Sequence, residues 1–156
     1  AQEAGAEVIL FTCSSTSPVV DAVRPLVDVP IVKIDDAMAA RAVELGARIG
    51  LLCTSQTTVA PSEGLIRDHA AIRKREVTVV PVVENAAYFA LRNGDQAAHD
   101  AAVRAAAGRL ARSADVIVLA QASMAHLAAE LGESLPIPVL ESPSLCVEGL
   151  AAYLGD

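Results

Sequence analysis

Six short runs of continuous apolar, β-favouring residues divide this chain, and the segments between them carry helical spacing. The runs are Glu7 to Phe11, Pro30 to Ile34, Arg48 to Cys53, Val77 to Val82, Asp115 to Leu119 and Ile137 to Leu140. Most do not alternate apolar with polar, so the strands they predict are covered on both faces. Helical signals fill the gaps. Asp36 to Leu45 ends at Gly46, which is placed as its C′ residue. Pro61 to Lys74 opens on a proline suited to a first turn, and Glu84 to Leu91 is shorter. Asp95 caps an Ala-rich helix to about Arg112, with Val103, Ala106, Ala107 and Leu110 on one face. Met124 to Leu131 and Leu145 to Leu154 complete the series. Strand–helix alternation of this kind predicts an α/β fold with parallel sheets and right-handed crossovers.

The pattern repeats. GAEVILFTCSS (Gly5 to Ser15) aligns with SADVIVLAQAS (Ser113 to Ser123) at an offset of 108 residues. The same offset places Val29-Pro30-Ile31 on Ile137-Pro138-Val139. Two half-sheets of common origin are expected. The second half opens with IGLLCTSQTT at Ile49, whose counterpart would lie before residue 1. An opening strand and its loop, about sixty residues in all, are therefore expected to be missing from the first half. The predicted organisation is a partial first lobe (1–47), joined by the C-terminal helix (142–156), and a second lobe (48–141). No Pro-rich, Gly/Ser-rich or charged linker separates them.

Composition removes several classes of function. The net charge is −7 and the basic residues are scattered, apart from Arg73-Lys74-Arg75, so no nucleic-acid partner is expected. Aromatic residues make up 3%, too few for base- or sugar-stacking platforms. No apolar run approaches the ~20 residues of a membrane helix, and no signal-peptide pattern leads the chain. The three cysteines, Cys13, Cys53 and Cys146, lack metal-site spacing and suit free thiols in a reducing cytoplasm. Homo-oligomer formation is left open.

Chemistry concentrates in VILFTCSSTSP, Val8 to Pro18. Cys13 ends a strand, Ser17 stands at an expected helix N-cap, and Pro18 takes the first helical position. The carboxyl end of a strand is where open α/β sheets bind ligands, and a helix N-terminus favours the thiolate. A second loop, Thr54-Ser55-Gln56-Thr57-Thr58, offers hydroxyls and helix N–H groups to a carboxylate. Cys53 and Cys146 sit among apolar residues and are expected to pack. His126, in the first turns of a helix after Gln121, is an alternative acid, and His69 and His99 are expected on the surface. Glycine-rich nucleotide loops and the nucleophile elbow are absent from the sequence. A Schiff-base role would fall to Lys33 or Lys74, and position alone does not remove Lys33.

Four segments, VILFTCSS, PIVKIDDAMAARAVELGARIGLLCTSQTT, ADVIVLAQASMAHLAAEL and IPVLESP, carry a resemblance. The chain resembles the aspartate/glutamate/hydantoin racemase superfamily over nearly all its length. The resemblance implies two pseudo-symmetric flavodoxin-like lobes around a small carboxylate substrate, with no cofactor. It implies that Cys13 exchanges a proton at the carbon next to the carboxylate. Ser14, Ser15, Thr54, Thr57 and Thr58 would bind the substrate, together with Ala122 and Ser123. The family's second cysteine corresponds to Gln121 here. An amide neither takes nor returns that proton, but it orients charge through hydrogen bonds. The alternatives are a single-cysteine decarboxylase or lyase, and a non-catalytic carboxylate-binding homologue. Gln121 itself either faces Cys13 across a cleft or caps the following helix and points away.

Overall fold

The computed structural model describes residues 1–154. β1 (Ile9–Phe11) and β2 (Ile31–Lys33) form a two-stranded parallel sheet. β3 (Arg48–Cys53), β4 (Thr78–Val83), β5 (Val116–Leu119) and β6 (Val139–Glu141) form a second parallel sheet in the order β4-β3-β5-β6. The connecting helices are α1 (Val19–Val23), α2 (Asp36–Leu45), α3 (Gln56–Ile72), α4 (Asn85–Arg92), α5 (Gln96–Leu110), α6 (Ala128–Ser134) and α7 (Ser142–Leu154). Residues 155–156, the end of the expected C-terminal segment, lie outside the described residues.

The two central strands of the larger sheet, β3 and β5, are buried on both faces, as their unbroken apolar runs require. One face meets α2 and α3 through Met38, Val43, Leu51, Ile66 and Val118. The other meets α5 and the segment before α6 through Leu52, Val103, Leu110, Ile117 and Met124. Leu51 and Leu52 are adjacent yet both fully buried, in opposite cores, because successive strand residues face opposite ways. Each such side chain contributes about 1.5–3 kcal/mol by leaving water. Although α2 follows the first sheet in the chain, it packs into the core of the second, against α3, and also touches α7.

The repeat is expressed in strand register. Ile9, Leu10 and Phe11 stand opposite Ile31, Val32 and Lys33. Adding 108 to each number gives Ile117, Val118 and Leu119 opposite Val139, Leu140 and Glu141, which is the observed pairing of β5 with β6.

Several local expectations are corrected. α3 begins at Gln56, so Pro61 lies inside the helix rather than at its first turn. Its missing N–H deprives only the Thr57 carbonyl, at the helix start, of a partner. After β1 the chain makes a 3₁₀ turn over Ser14–Thr16 headed by Cys13, and α1 is only five residues long with Pro18 as its N-cap. A 3₁₀ segment, Ala122–Leu127, likewise precedes α6 where one helix from Met124 was expected. Gly46 is extended (φ −160°) rather than left-handed. Its role is spatial: a Cβ there would lie 2.5 Å from the Cβ of Asp115. The Asp115 carboxylate in turn accepts hydrogen bonds from the Ala47 and Arg48 N–H groups, 2.9 and 2.8 Å away, at the start of β3.

Candidate functional site

The carboxyl ends of β1, β3 and β5 open onto one cleft of about 370 Å³. β1 delivers Cys13, Ser14 and Ser15, and α3 delivers Thr57 and Thr58 from its first turn. The β5 end delivers Gln121 and Ala122. Cys13 and Gln121 occupy equivalent positions in the repeat. Each is an extended residue at the head of a 3₁₀ segment, with φ −115° and −131°. The Cys13 loop is joined directly to the start of α3: Ser15 Oγ and Thr58 Oγ1 lie 3.0 Å apart in a hydrogen bond.

The Cys13 thiol is exposed. Its pKa is lowered, chiefly by the Thr16 hydroxyl and then by the Thr16 N–H, with help from the Ser15 N–H. Partial burial and the charge of Asp35 act against the shift. The thiolate is therefore favoured by the polar groups of its own short turn, whose Thr16 N–H and hydroxyl also bond to the Cys13 carbonyl at 3.2 and 3.5 Å, and not by a long helix dipole. Asp35 is buried behind this turn, and neither of its oxygens has a hydrogen-bond partner among the described residues. Burial raises its pKa, while its own N–H and the Ser14 hydroxyl, close but outside hydrogen-bond geometry, pull the other way.

Gln121 lines the cleft, and its side chain makes no cap hydrogen bond to the following 3₁₀ segment. Its amide grips Thr54 instead. Oε1 accepts from the Thr54 N–H at 2.8 Å, and Nε2 donates to Thr54 Oγ1 at 3.0 Å. Thr54 is consequently buried behind Gln121 and is not on the cleft wall. Ser123 is exposed and also lies off the wall. Ser15, Thr57 and Thr58 remain on it, with Ser55 Oγ and Thr57 Oγ1 sharing a hydrogen bond at 2.9 Å. No charged side chain lines the cleft among the described residues. An anion there would be held by hydroxyls and by the free N–H groups at the start of α3.

Three wall residues were not singled out individually in the sequence: Thr12, Ser55 and Tyr88. The first two neighbour residues singled out in the same loops. Tyr88 comes from α4, and only the opening of that helix directly after β4 hinted at it. Cys53 is fully buried with its pKa pushed up to about 12, and burial also raises that of Cys146. Lys33 is buried and paired with Asp21 at 2.9 Å. The histidines differ from expectation. His99 is completely buried on the inner face of α5, and His69 is mostly covered, bonded to Asp36 at 3.0 Å. His126 lies off the cleft wall and bonds to Asp100 at 2.9 Å.

The family model described as Asp/Glu/Hydantoin racemase matches residues 1–150. The chain belongs to this racemase family. No curated protein sequence matches it. Among solved structures it is similar to allantoin racemase from Klebsiella pneumoniae, with TM-score 0.72 and 24% identity. That match covers 97% of this chain and 62% of the other. Glutamate racemase from Bacillus anthracis gives TM-score 0.71 and 16% identity, covering 95% of this chain and 57% of that one. A variant of arylmalonate decarboxylase, in a sulfate-associated form, gives TM-score 0.65 and 16% identity over 97% and 69% of the two chains. This racemase-family chain thus spans less than two thirds of the first two structures. At these identities the likeness establishes the shared α/β fold. No helix is long and apolar enough to cross a membrane among the described residues.

Proposed function

We propose that this cleft belongs to an enzyme that moves a proton at the carbon next to the carboxylate of a small acid, without a cofactor. Cys13 is the acid/base, and its unpaired thiol suits a reducing cytoplasm. The observation that carries the reading is the placement of one exposed, acidified thiol against an uncharged, hydroxyl-lined helix start in a single cleft. In this reading the substrate carboxylate binds at Ser55, Thr57 and Thr58, beside Ser14 and Ser15. Its α-carbon then faces Cys13. Removing the α-proton, or another group from that carbon, gives an enediolate, whose negative charge the α3 N–H groups stabilise.

Gln121 bears on two versions of this reading. Racemisation needs an acid/base on each face of the planar intermediate. The Gln121 amide is occupied by Thr54 at both ends and has no labile acidic proton. Proton delivery from one face by Cys13 fits this arrangement better. A reaction of that kind is decarboxylation of a 2-substituted malonate: CO₂ leaves, the enediolate takes the proton from Cys13 Sγ–H, and water reprotonates the thiolate. The fold is shared with arylmalonate decarboxylase as well as with racemases, so it accommodates this version.

The test is deuterium incorporation from D₂O, with a panel of amino acids, hydantoins and 2-substituted malonates. The expected result is incorporation from one face only, abolished in Cys13→Ala. Gln121→Cys supplies a thiol on the opposite face and should add exchange there. Binding without exchange in the wild-type protein would leave a carboxylate-binding homologue as the function and refute the enzyme reading.

A further inference from the structure

Away from the cleft, a second set of chemically capable side chains meets between α5 and the 3₁₀ segment Ala122–Leu127. Asp100 Oδ1 accepts three hydrogen bonds: from Gln96 Nε2 at 2.7 Å, His99 Nδ1 at 2.9 Å and His126 Nε2 at 2.9 Å. The two imidazole rings lie nearly parallel, with centroids 6.2 Å apart. One donor atom from each of His99, Asp100 and His126 falls within 4.8 Å of the others. The set is graded in burial. The His99 side chain is fully buried, Asp100 is 15% exposed and His126 is 47% exposed.

His99 is buried yet turns one edge of its ring to this cluster. A buried imidazole normally satisfies both ring nitrogens. Here Nε2 has no partner, and the ring's polar contacts are made by Nδ1, to Asp100 Oδ1 at 2.9 Å and Gln96 Nε2 at 3.4 Å. The geometry points to a binding site for one divalent transition-metal ion of the zinc class, held by His99 Nδ1, Asp100 Oδ1 and His126 Nε2. Two imidazoles and a carboxylate are a zinc donor set that leaves a fourth position for water. Bonds of about 2.0–2.2 Å in a tetrahedral site require donors about 3.3–3.5 Å apart, so each imidazole nitrogen must draw back about half an ångström from Asp100 Oδ1, and all three donors already lie within 4.8 Å of one another. His126, the exposed member, supplies that movement.

On binding, each imidazole presents a lone pair at the ligating nitrogen, and its ring proton resides on the other nitrogen. For His126 that nitrogen reaches solvent. For His99 it is the unpartnered Nε2, so a buried donor is left unsatisfied and micromolar affinity is expected rather than the tighter binding of structural zinc sites. The bound ion ties α5 to the segment whose first residue, Ala122, lines the cleft.

Zinc affinity by competition with a chromophoric chelator, and cobalt(II) titration followed in the visible, test the proposal. Both use the Cys13→Ser variant, so that the exposed thiol takes no part. The expected result is one equivalent bound, with the visible band of four-coordinate cobalt and no thiolate charge-transfer absorption. His126→Ala, at an exposed position, and Asp100→Asn should each weaken binding by about tenfold or more. His69→Ala should leave it unchanged. A dissociation constant weaker than about 0.1 mM overturns the proposal. So does binding that survives His126→Ala or Asp100→Asn, or that disappears in His69→Ala.

Discussion

Replacing Gln121 with alanine removes both arms of its grip on Thr54. The two hydrogen bonds, at 2.8 and 3.0 Å, are the side-chain link between the ends of β5 and β3. A hydrogen bond of this kind contributes about 0.5–1.5 kcal/mol net. The Thr54 N–H would not stay orphaned, because truncating Gln121 opens it to the water-filled cleft, so the larger penalty of a buried unpaired donor does not apply. The expected loss is therefore about 2 kcal/mol, the sum of two ordinary bonds. In a chain of this size that lowers the melting temperature by about 4–8 °C. Calorimetry or circular dichroism reads the shift. Gln121→Glu supplies the control. Its carboxylate accepts from both the Thr54 N–H and the Thr54 hydroxyl, so most of the stability returns, while its charge repels a substrate anion and raises KM. A melting temperature for Gln121→Ala within about 1 °C of wild type would show that the grip contributes nothing net, and would sink this account of Gln121.

Iodoacetamide should modify Cys13 in the native protein with a pH midpoint below the ordinary thiol range, and Thr16→Ala should move that midpoint up. Cys53 and Cys146 should react only after unfolding, since burial raises both thiol pKa values. Asp35→Asn should stabilise the protein at neutral pH. Because the native Asp35 pKa is raised, the folded state holds a proton that the unfolded state has lost, from the ordinary carboxylate range up to the raised value. Wild-type stability falls as pH rises through that window, so the advantage of the amide over the carboxylate should vanish in acid, which denaturation at several pH values would reveal. Gly46→Ala should cost about 1–3 kcal/mol in urea unfolding, because Asp115 is fixed by two hydrogen bonds and cannot yield to the new methyl group.

The larger sheet was legible because its central strands are buried on both sides, and continuous runs such as Ile49 to Cys53 have little other use. The repeat was legible for the same reason, and the strand register carries it pair by pair. Loops at the strand ends were harder. Thr54 and Thr57 look alike in sequence, yet Gln121, 67 residues beyond Thr54, draws the first inward and leaves the second on the cleft wall. Such a long-range hydrogen bond leaves no periodic trace. His99 looked like a surface residue because its neighbour Asp100 is charged. The face of α5 that carries Val103, Ala106 and Leu110 also carries His99, and this helical spacing was the signal that outweighed the neighbour. Tyr88 reaches the cleft only through the tertiary placement of α4, which no local pattern states.

The position of α2 limits how this protein can be recombined with its relatives. The helix emerges from β2 but seats Met38, Ala42 and Val43 in the core beneath β3 and β5. It also touches α7, the helix that leaves β6 as α2 leaves β2. A crossover at the seam between the halves, before Arg48, would therefore exchange one flank of a core whose remaining wall came from another parent. Chimeras joined there inherit a packing mismatch unless the donors agree at those three positions. A junction within the Ile34–Asp35 turn keeps the helix with the sheet it covers, and is the place where halves from different family members can be joined with the core left whole.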